Sequence, residues 1–395
     1  MLTPIKEFPG ITVTFLTTEQ CNLRCKYCYE INKKSKHMTI DVAKKAIDQI
    51  VKGLVVRKDN QDLAEQGIII EFIGGDSLVN PELLDQILDY WSYKVNTCNS
   101  KWAKIWRNRW RVSLCSNGTL FSDKKVRDFC EKWRDVMCLS VSIDGCPEIH
   151  DTNRVFPDGR GSMPEIMKYW DWFQNTSLAA KQTKATAAKS TIPYLYDSLV
   201  FMHETLKLDY IHQNFIMEPT GCTEEDYKLL KEQLEKCSDY VFEHRNEIYW
   251  SMLGKEFSEH KNSIDECINR CGSGQMTTIG IDGKIYPCMR WLPVSLGDNR
   301  PDMSIGHINK GGLTRKGKKL AHEIFEGSKN CNNTKDEECR KCEYESACAY
   351  CIAGCFTEYG EFKRYKHICE ITKITCEVAK KYKQREIDTD GVYIG

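Results

Sequence analysis

The sequence lacks three features that would assign it to common classes of protein. No apolar run is long enough to cross a membrane. The first residues, MLTPIKEFPG, do not combine a basic start with an apolar stretch, so they do not resemble a secretion signal. Lysine plus arginine equals aspartate plus glutamate at 56 each, and a chain without net charge is a poor general binder of nucleic acid. We therefore expect a cytoplasmic protein with neither a membrane nor a nucleic acid as partner.

Cysteine, in contrast, is abundant, with 21 in 395 residues. Since no export signal is recognisable, clustered cysteines favour zinc or iron–sulfur binding over disulfides. Three cysteines lie near the start, and ten lie between residues 267 and 369. The others are scattered, and we expect most of them to be small core residues.

Apolar segments alternate with amphipathic ones from residue 11 to about residue 217. Six are typical of strands: ITVTFLT (11–17), GIIIEFIGG (67–75), RVSLCSNGT (111–119), VMCLSVSIDG (136–145), KQTKATAA (181–188) and YIHQNFIME (210–218). Helices are predicted between them, at 39–56, from Pro81 to 91, and at about 122–134, 163–175 and 191–206. Parallel strands need such crossovers, so the pattern predicts an α/β fold, a partial (β/α)6 TIM-like barrel.

Polar residues and glycines follow four of these strands, at Cys21–Cys28, Gly74–Asp76, Ser116–Asn117 and Ser142–Asp144. The carboxyl ends of parallel strands share one edge, and in such folds that edge carries the site. We therefore expect these residues to lie together.

The chain divides into four predicted parts. Residues 1–222 form the barrel, and residues 223–262 are connecting helices. Residues 263–376 are rich in cysteine and poor in aliphatic residues, so we expect a small domain with little core that depends on metal for stability. Residues 377–395 form a tail that begins helical and basic.

Cys21, Cys25 and Cys28 follow the first strand with a Cys-x3-Cys-x2-Cys spacing. Three thiolates at this spacing can hold one corner of a 4Fe–4S cluster and leave one iron open to a ligand from outside the protein. Four thiolates would make a simple electron carrier. A zinc knuckle that takes its fourth ligand from elsewhere in the chain is the alternative.

This motif, with the aromatic Tyr27 before its last cysteine, resembles that of the radical S-adenosylmethionine superfamily. The segments IGGDS (73–77), CSNGT (115–119), SVSIDG (140–145) and HDTNR (150–154) resemble its later motifs. Asp76-Ser77 stands where Glu-Pro is usual, but the contact there is mostly with backbone, so we expect it to survive. The resemblance implies a set of cofactor contacts at Tyr27, Gly74, Gly75, Asp76, Ser116, Asn117, Ser142, Asp144, Arg154 and Met217.

By that resemblance, S-adenosylmethionine binds the open iron and is cleaved reductively, and the resulting 5′-deoxyadenosyl radical removes a hydrogen from a substrate. Flavodoxin or ferredoxin is the expected reductant. No catalytic side chain is assigned.

The later cysteines resemble a SPASM domain, an extension with two auxiliary clusters found on peptide-modifying members. Gly283 permits a tight turn between two strands there. The resemblance implies an outer 4Fe–4S cluster on Cys339, Cys342, Cys348 and Cys369. It implies an inner one on Cys271, Cys288 and either Cys351 or Cys355, with Cys267 as a further candidate ligand. Cys351 is favoured by its separation from Cys369, and three 4Fe–4S clusters result in all. Without Cys267, one inner iron would be open to a substrate thiolate. A zinc ribbon is the alternative.

The resemblance implies a peptide maturase that forms a thioether or carbon–carbon cross-link in a ribosomally made precursor peptide. Met289 stands where sulfatase-maturing members carry an acidic base, which argues against the alternative of formylglycine formation. The first strand begins too early for an N-terminal leader-binding domain, so we expect a separate leader-binding protein, recognition by the barrel surface, or none. Two different classes of protein stay open at this point: a non-catalytic iron–sulfur electron carrier and a zinc-stabilised interaction protein.

For the remaining features we favour a structural role over a functional one. The basic and aromatic stretch KWAKIWRNRWR (101–111) is either a docking patch or a helix–strand connection whose tryptophans enter the core, and the second is favoured. Tyr29 and Glu30 either gate the substrate or are ordinary loop residues. His150 and His367 are interpreted as structural.

Overall fold

The computed structural model describes residues 10–55, 67–254, 257, 271–297, 299–328, 337–348, 350–362 and 364–390. One predicted ligand, Cys267, lies outside these ranges. None of the helices in these ranges is long and apolar enough to cross a lipid bilayer.

A single sheet runs through the described part of the chain, in the order β11-β10-β9-β8-β1-β2-β3-β4-β5-β6-β7. In chain order its strands are β1 (Gly10–Thr18), β2 (Gly67–Gly74), β3 (Trp110–Ser116), β4 (Met137–Ser142), β5 (Ala180–Ala187), β6 (Tyr210–Phe215), β7 (Tyr249–Trp250), β8 (Thr277–Ile279), β9 (Lys284–Tyr286), β10 (Gly306–His307) and β11 (Gly312–Leu313). Strands β1 to β6 are parallel and adjacent in chain order. The predicted α/β class and its six strands are confirmed.

Helices connect the strands, as parallel pairing requires. They are α1 (Ile40–Ile50), α2 (Pro81–Thr97), α3 (Lys101–Trp106), α4 (Lys124–Lys132), α5 (Pro147–Asn153), α6 (Met163–Met167), α7 (Trp170–Asn175), α8 (Leu195–Val200), α9 (Glu224–Glu243), α10 (Pro293–Leu296), α11 (Arg315–Ser328), α12 (Glu337–Arg340), α13 (Ile352–Tyr359) and α14 (Cys369–Asp390). Thr39 caps α1 by accepting from the backbone N–H of Val42, and Pro81 occupies the first turn of α2. The helix predicted at 163–175 is two short helices.

Five strands extend the sheet beyond the six that the sequence pattern predicts, β7 on one side and β8 to β11 on the other. The short strand β7 pairs in parallel with β6, although it lies in the segment predicted to be connecting helices. Strand β8 pairs in parallel with β1, with Val13 opposite Thr277. Strand β9 returns antiparallel to β8 through the turn at Gly283, whose φ is +82°. The cysteine-rich region is therefore hydrogen-bonded directly to the first barrel strand.

Helix α14 crosses the predicted boundary between residues 376 and 377. It packs along α9, and Lys231 and Glu377 form an ion pair of 3.0 Å between the two helices. The tail and the end of the cysteine-rich region are thus one helix, because an apolar face that includes Ile374 and Val378 continues across the boundary into the barrel core.

The cysteine-rich region has a larger apolar core than expected. Aromatic and aliphatic side chains from β9 to the start of α14 form a cluster: Tyr286, Trp291, Leu292, Val294, Leu296, Met303, Ile324, Tyr350, Ile352, Phe356, Tyr365 and Ile368. Leu16 of β1 belongs to the same cluster. The expectation of little core was wrong because it weighed aliphatic content and neglected these aromatic residues.

Tryptophans from the segment 101–111 enter the barrel core. Trp106 and Trp110 are buried, and their rings lie 6.2 and 6.3 Å from that of Trp91 on α2. Trp133 follows at 6.1 Å from Trp110. This packing is the one expected for a helix–strand connection.

We predict that Trp91→Ala lowers the free energy of unfolding by about 3–5 kcal/mol, because it leaves a large cavity between α2 and the sheet. Tyr93→Ala is the matched control on the same helix, since Tyr93 is 61% exposed. The control should change stability by less than about 1 kcal/mol in denaturant titrations. Equal effects of the two substitutions would contradict this view of the core.

Candidate active site

The three N-terminal cysteines lie on a loop directly after β1. Backbone hydrogen bonds attach this loop to the segment after α5, from Arg24 N to Val155 O at 2.7 Å and from Lys26 N to Asn153 O at 3.0 Å. Cys28 N donates to Cys25 O at 3.2 Å. All three cysteine residues are half-buried, and these hydrogen bonds hold the loop in place.

The three thiols interact electrostatically with one another, Cys21 with Cys25 and Cys25 with Cys28. Burial, with a smaller contribution from Asp76, raises the pKa of Cys21 to about 12, and burial also raises the pKa of Cys25. Thiols of this kind hold their protons until a metal replaces them. Lys33 Nζ lies 2.7 Å from Cys28 Sγ, a donor suited to a thiolate. Three thiols on one loop with a cationic donor beside one of them are the soft donor type that an iron–sulfur cluster uses.

Gly74 and Gly75 press against this loop at the end of β2. Gly74 has a φ of +153°, and a Cβ on it would lie 2.0 Å from the carbonyl oxygen of Thr18. A Cβ on Gly75 would lie 2.2 Å from the carbonyl oxygen of Gln20. Gly75 N donates to Thr18 O at 3.2 Å, and Asp76 N donates to Gln20 O at 2.9 Å. Only glycine permits this approach of β2 to the cysteine loop.

The carboxylate of Asp76 is fully engaged by donors from the protein. Its Oδ1 accepts from Leu78 N at 3.0 Å, and its Oδ2 accepts from Ser116 Oγ at 2.9 Å and Asn117 N at 2.8 Å. Burial raises the pKa of Asp76, against these three hydrogen bonds, which lower it. Asn117 in turn donates to Asn22 Oδ1 at 2.8 Å. Asp76 thus joins the ends of β2 and β3 to the cysteine loop.

Tyr27 of the cysteine loop forms one hydrogen-bonded unit with the buried residues Asp144 and Arg154. Asp144 Oδ2 accepts from the Tyr27 hydroxyl and from Arg154 Nε at 3.0 Å, while its Oδ1 accepts from Thr186 N at 2.9 Å. The Arg154 guanidinium lies 5.5 Å from the centre of the Tyr27 ring. Asp144 therefore orients two of the predicted cofactor contacts.

The two remaining predicted contacts lie at the same edge of the sheet. Ser142 Oγ is 3.5 Å from Cys115 Sγ at the ends of β4 and β3. Met217 follows β6, and its carbonyl oxygen accepts from His367 Nε2 at 2.8 Å. Met217 therefore lies where the barrel meets the cysteine-rich region.

Four cysteines predicted to form one set line a single pocket. Cys339, Cys342, Cys348 and Cys369 surround a space of about 310 Å³ that is partly open to solvent, together with Arg364 and Lys373. Burial raises the pKa of Cys348 to about 12. Lys366 Nζ lies 3.2 Å from Cys339 Sγ. Four thiols with nearby cations fit a fully ligated cluster.

The second set contains Cys271, Cys288 and Cys351. Burial raises the pKa of Cys288 to about 12, and Cys351 and Cys271 add to this shift. Burial and then Cys351 raise the pKa of Cys271. Cys355 is fully buried and also interacts with Cys351. The electrostatic interactions of Cys351 therefore group it with Cys271 and Cys288.

One residue between the two regions escaped the sequence analysis. The Arg290 guanidinium lies 4.3 Å from the Tyr29 ring, pairs with Glu218 at 2.5 Å and interacts with Cys351. The Tyr29 hydroxyl also reaches Met289 Sδ at 3.7 Å. The only sign of Arg290 in the sequence was its position two residues after the predicted ligand Cys288. Arg290 connects the loop of Cys28 to the second cysteine set.

His150 is a structural residue, as favoured above. Its Nδ1 accepts from Asp144 N at 3.3 Å, and its Nε2 lies 2.9 Å from Ser162 Oγ, which donates to Arg154 O at 2.8 Å. Burial lowers the pKa of His150 to about 4, although Asp144 acts in the opposite direction. The imidazole is therefore neutral in the folded protein at neutral pH.

We predict that His150 makes folding sensitive to mild acid. Its unfolded pKa is about 6.5, so below that pH the unfolded chain binds a proton that the folded chain refuses, and stability falls as the pH drops towards 4. Between about pH 7.5 and about pH 5 the loss attributable to His150 should be about 2 kcal/mol. Denaturant titrations of His150→Gln should show that much less pH dependence than wild type. An unchanged pH dependence would contradict the prediction.

Comparison with protein families gives a match over the first part of the chain. Residues 9–165 match the family model described as a 4Fe-4S single cluster domain. An uncharacterised protein of Methanocaldococcus jannaschii is 30% identical over 186 residues, 47% of this chain and 56% of that protein. The aligned part thus spans about half the length of that relative. The Cysteine-type anaerobic sulfatase-maturating enzyme of Clostridium novyi is 23% identical over 86% of this chain and 85% of its own.

A third relative is similar over nearly the whole chain. The radical SAM cyclopropyl synthase TigE of Paramaledivibacter caminithermalis is 22% identical over 96% of this chain and 74% of its own. Two solved structures have the same fold. The first is anSMEcpe with bound AdoMet and Kp18Cys peptide, with a TM-score of 0.72 and 18% identity over 97% of this chain and all of that one. The second is Streptococcus suis SuiB bound to precursor peptide SuiA, with a TM-score of 0.55 and 16% identity over 91% of this chain and 76% of that one.

Proposed function

We propose that the chain is a SPASM-type radical S-adenosylmethionine enzyme and that it matures a ribosomally made precursor peptide, a proposal supported by its similarity to the relatives and structures above. The proposal rests on one observation above all. Three thiols follow β1 and interact in sequence, and Tyr29 and Arg290 connect their loop to a second set of cysteines in the cysteine-rich region. The relatives that cover most of this chain are named for the modification of proteins and for cyclopropyl synthesis.

Cys21, Cys25 and Cys28 would hold a 4Fe–4S cluster through three of its irons. When bound, that cluster and S-adenosylmethionine supply a radical able to remove hydrogen from an unreactive carbon. The close approach of Gly74 and Gly75 leaves backbone at the edge of β2 for the methionine end of the cofactor. Asp144 fixes Tyr27 and Arg154 beside it. A low-potential carrier such as flavodoxin or ferredoxin would supply the electron.

We predict that Cys25→Ala abolishes formation of 5′-deoxyadenosine, because two thiolates cannot hold the cluster with one open iron. The measurement is anaerobic incubation of the reconstituted enzyme with S-adenosylmethionine and dithionite, followed by chromatography. Cys222→Ser, in a loop far along the chain, is the matched control and should keep wild-type yield. Absence of 5′-deoxyadenosine with wild-type enzyme would refute the proposed function itself.

The auxiliary ligands form the second part of the proposal. Cys339, Cys342, Cys348 and Cys369 would hold the outer cluster, and Cys271, Cys288 and Cys351 the inner one, for three clusters in all. The electrostatic grouping of Cys351 with Cys271 and Cys288 supports this choice over Cys355. Cys267 stays a candidate ligand outside the described residues.

We predict that Cys351→Ala lowers iron content from about twelve to about eight atoms per chain, because the inner cluster loses a ligand. Cys355→Ala is the matched control, since it removes a thiol of the same helical turn and should leave iron content unchanged. Iron and sulfide analysis with Mössbauer spectroscopy makes the measurement. The reverse result would make Cys355 the ligand.

The most specific part of the proposal concerns the chemical bond that the enzyme forms in its substrate. We favour a thioether or carbon–carbon cross-link, because position 289 carries a methionine whose sulfur contacts Tyr29 and offers no carboxylate. Formylglycine formation is the second candidate, supported by the near-complete overlap with a sulfatase-maturating relative. Co-expression with a short cysteine-containing reading frame beside the gene distinguishes them: a cross-link removes two hydrogens and creates no aldehyde, whereas formylglycine reacts with hydrazides. If the purified enzyme binds the precursor peptide only after a separate leader-binding protein is added, that protein is part of the recognition of the substrate.

A further inference from the structure

The segment from Gln20 to His37 is strongly basic in a chain that has no net charge. It carries five lysines and arginines and one acid, Glu30, which is buried. Four of the basic residues are exposed, and we call them the basic patch: Arg24, Lys26, Lys34 and Lys36. A concentration of positive charge on an otherwise neutral chain favours a partner with negative charge.

The half of the basic patch that contains Lys34 and Lys36 is attached to both ends of the cysteine loop. Glu19 N donates to Lys36 O at 2.9 Å, which fixes this segment beside the start of the loop. Lys33 Nζ lies 2.7 Å from Cys28 Sγ, which fixes it beside the end of the loop. Lys34 and Lys36 are therefore held next to the three thiols.

The other half of the basic patch lies on the cysteine loop itself. Arg24 and Lys26 are the chain neighbours of Cys25 on either side. The Arg24 guanidinium donates to the carbonyl oxygens of Cys21 and Leu23, each at 2.8 Å, so it stays close to the loop. The positive charge thus lies beside the site where a cluster would be bound.

Acidic side chains of the protein leave this charge largely uncompensated. Within the part of the chain that the structure describes, no residue of the basic patch forms an ion pair. Glu19 and Glu30, the acids nearest in the chain, are only 8% and 5% exposed. Asp282, an exposed acid whose charge acts on Glu19, lies 4.0 Å from Lys284. The basic patch is therefore free to meet a negatively charged surface.

The same segment also presents an apolar side chain to solvent. Ile31 is 65% exposed, the highest value among the large hydrophobic residues that the structure describes. Protein interfaces combine an apolar centre with a polar and charged rim. An exposed isoleucine within a basic segment therefore favours a protein as the partner rather than a small anion.

The proposed function brings two macromolecules to this enzyme, a precursor peptide and an electron carrier. The peptide has to reach the region where Tyr29 and Arg290 connect the two cysteine sets. The carrier has to approach the cluster on Cys21, Cys25 and Cys28, and the basic patch adjoins those residues. Complexes for electron transfer are small and transient, and opposite charges steer their formation. The position of the basic patch therefore favours the carrier.

We propose that the basic patch and Ile31 form the docking surface for an acidic one-electron carrier protein. The inference rests on the proposed function and extends it by naming the surface at which the electron enters. In the step that docking serves, the carrier is oxidised by one electron and the cluster on the cysteine loop is reduced by one electron. No covalent bond forms or breaks between the two proteins.

The first test is the dissociation constant for an oxidised flavodoxin of negative net charge, measured by anaerobic calorimetry. Lys34→Glu/Lys36→Glu should weaken binding at least about tenfold, and higher salt should weaken binding of wild type more than that of this variant. Ile31→Ser should weaken binding without changing its dependence on salt. Arg24 and Lys26 are left intact because they adjoin Cys25.

Lys228→Glu/Lys236→Glu is the matched control, because it makes the same change of net charge at two exposed lysines of α9. It should change the dissociation constant less than about threefold. An equal loss in the control would show that only the net charge matters, which overturns the inference. Unchanged binding in Lys34→Glu/Lys36→Glu overturns it as well.

The second test compares two reductants in the formation of 5′-deoxyadenosine. Lys34→Glu/Lys36→Glu should be at least about tenfold slower than wild type with reduced flavodoxin and equally fast with dithionite, which needs no docking surface. Iron content is measured alongside. If this variant loses iron, Ile31→Ser gives the same comparison with every charge in place.

Three outcomes of the second test overturn the inference. One is an unchanged rate with flavodoxin. Another is a loss of that rate only in Lys341→Glu, which would place electron entry at the outer cysteine set. The third is a loss of precursor modification with dithionite while flavodoxin binding is unchanged, which would assign the basic patch to the peptide. Wild type that forms no 5′-deoxyadenosine with dithionite refutes the proposed function instead, so the two failures are distinguishable.

Discussion

The rest of the site depends on the close approach of β2 to the loop that follows β1. At Gly74 and Gly75 the backbone of β2 lies so close to Thr18 and Gln20 that a Cβ atom at either position would clash with a backbone carbonyl oxygen. Two backbone hydrogen bonds close this contact. The cysteines begin at the next residue, so the position of the first thiol is set by the sheet and not by the loop alone. A cluster bound there would be fixed relative to the strand edge before any cofactor arrives.

Buried carboxylates extend that constraint to the later strands. Asp76 joins the ends of β2 and β3, and Asp144 joins the end of β4 to β5 and to the loop through Tyr27 and Arg154. Each accepts three hydrogen bonds or ion-pair contacts, which offsets the cost of burying its charge. Since their partners come from several segments of the chain, the loss of either carboxylate would loosen several predicted contacts together. The polar edge of the sheet thus acts as one preorganised unit.

The sequence predicted the barrel well, but it predicted poorly how the barrel contacts the cysteine-rich region. Strands β1 to β6 fall close to their predicted limits, because apolar runs bounded by glycine and polar residues mark the first four and the alternation with helices marks the more polar β5 and β6. Strands β7 and β8 have two and three residues, too few for any pattern, and their pairing with β6 and β1 depends on the folded barrel. The roles of Asp76 and Arg290 were equally hidden. Most of their partners lie tens of residues away in the chain, so the local sequence around Asp76 and Arg290 carries no pattern that predicts these contacts.

The distribution of positive charge explains how a chain with no net charge can bury so many thiols. Each cysteine set has its own cation: Lys33 beside Cys28, Arg290 near Cys351 and Lys366 beside Cys339. Thiols must lose protons to bind metal, and the resulting negative charge is buried in a medium that screens it poorly. A basic group near one sulfur of each set lowers the electrostatic cost of burying the thiolate charge of that set. Arg290 differs from the other two, because it also contacts Tyr29 and Glu218 and so ties the charge of the inner set to the loop beside the first. The two regions are therefore coupled electrostatically as well as through the pairing of β1 with β8.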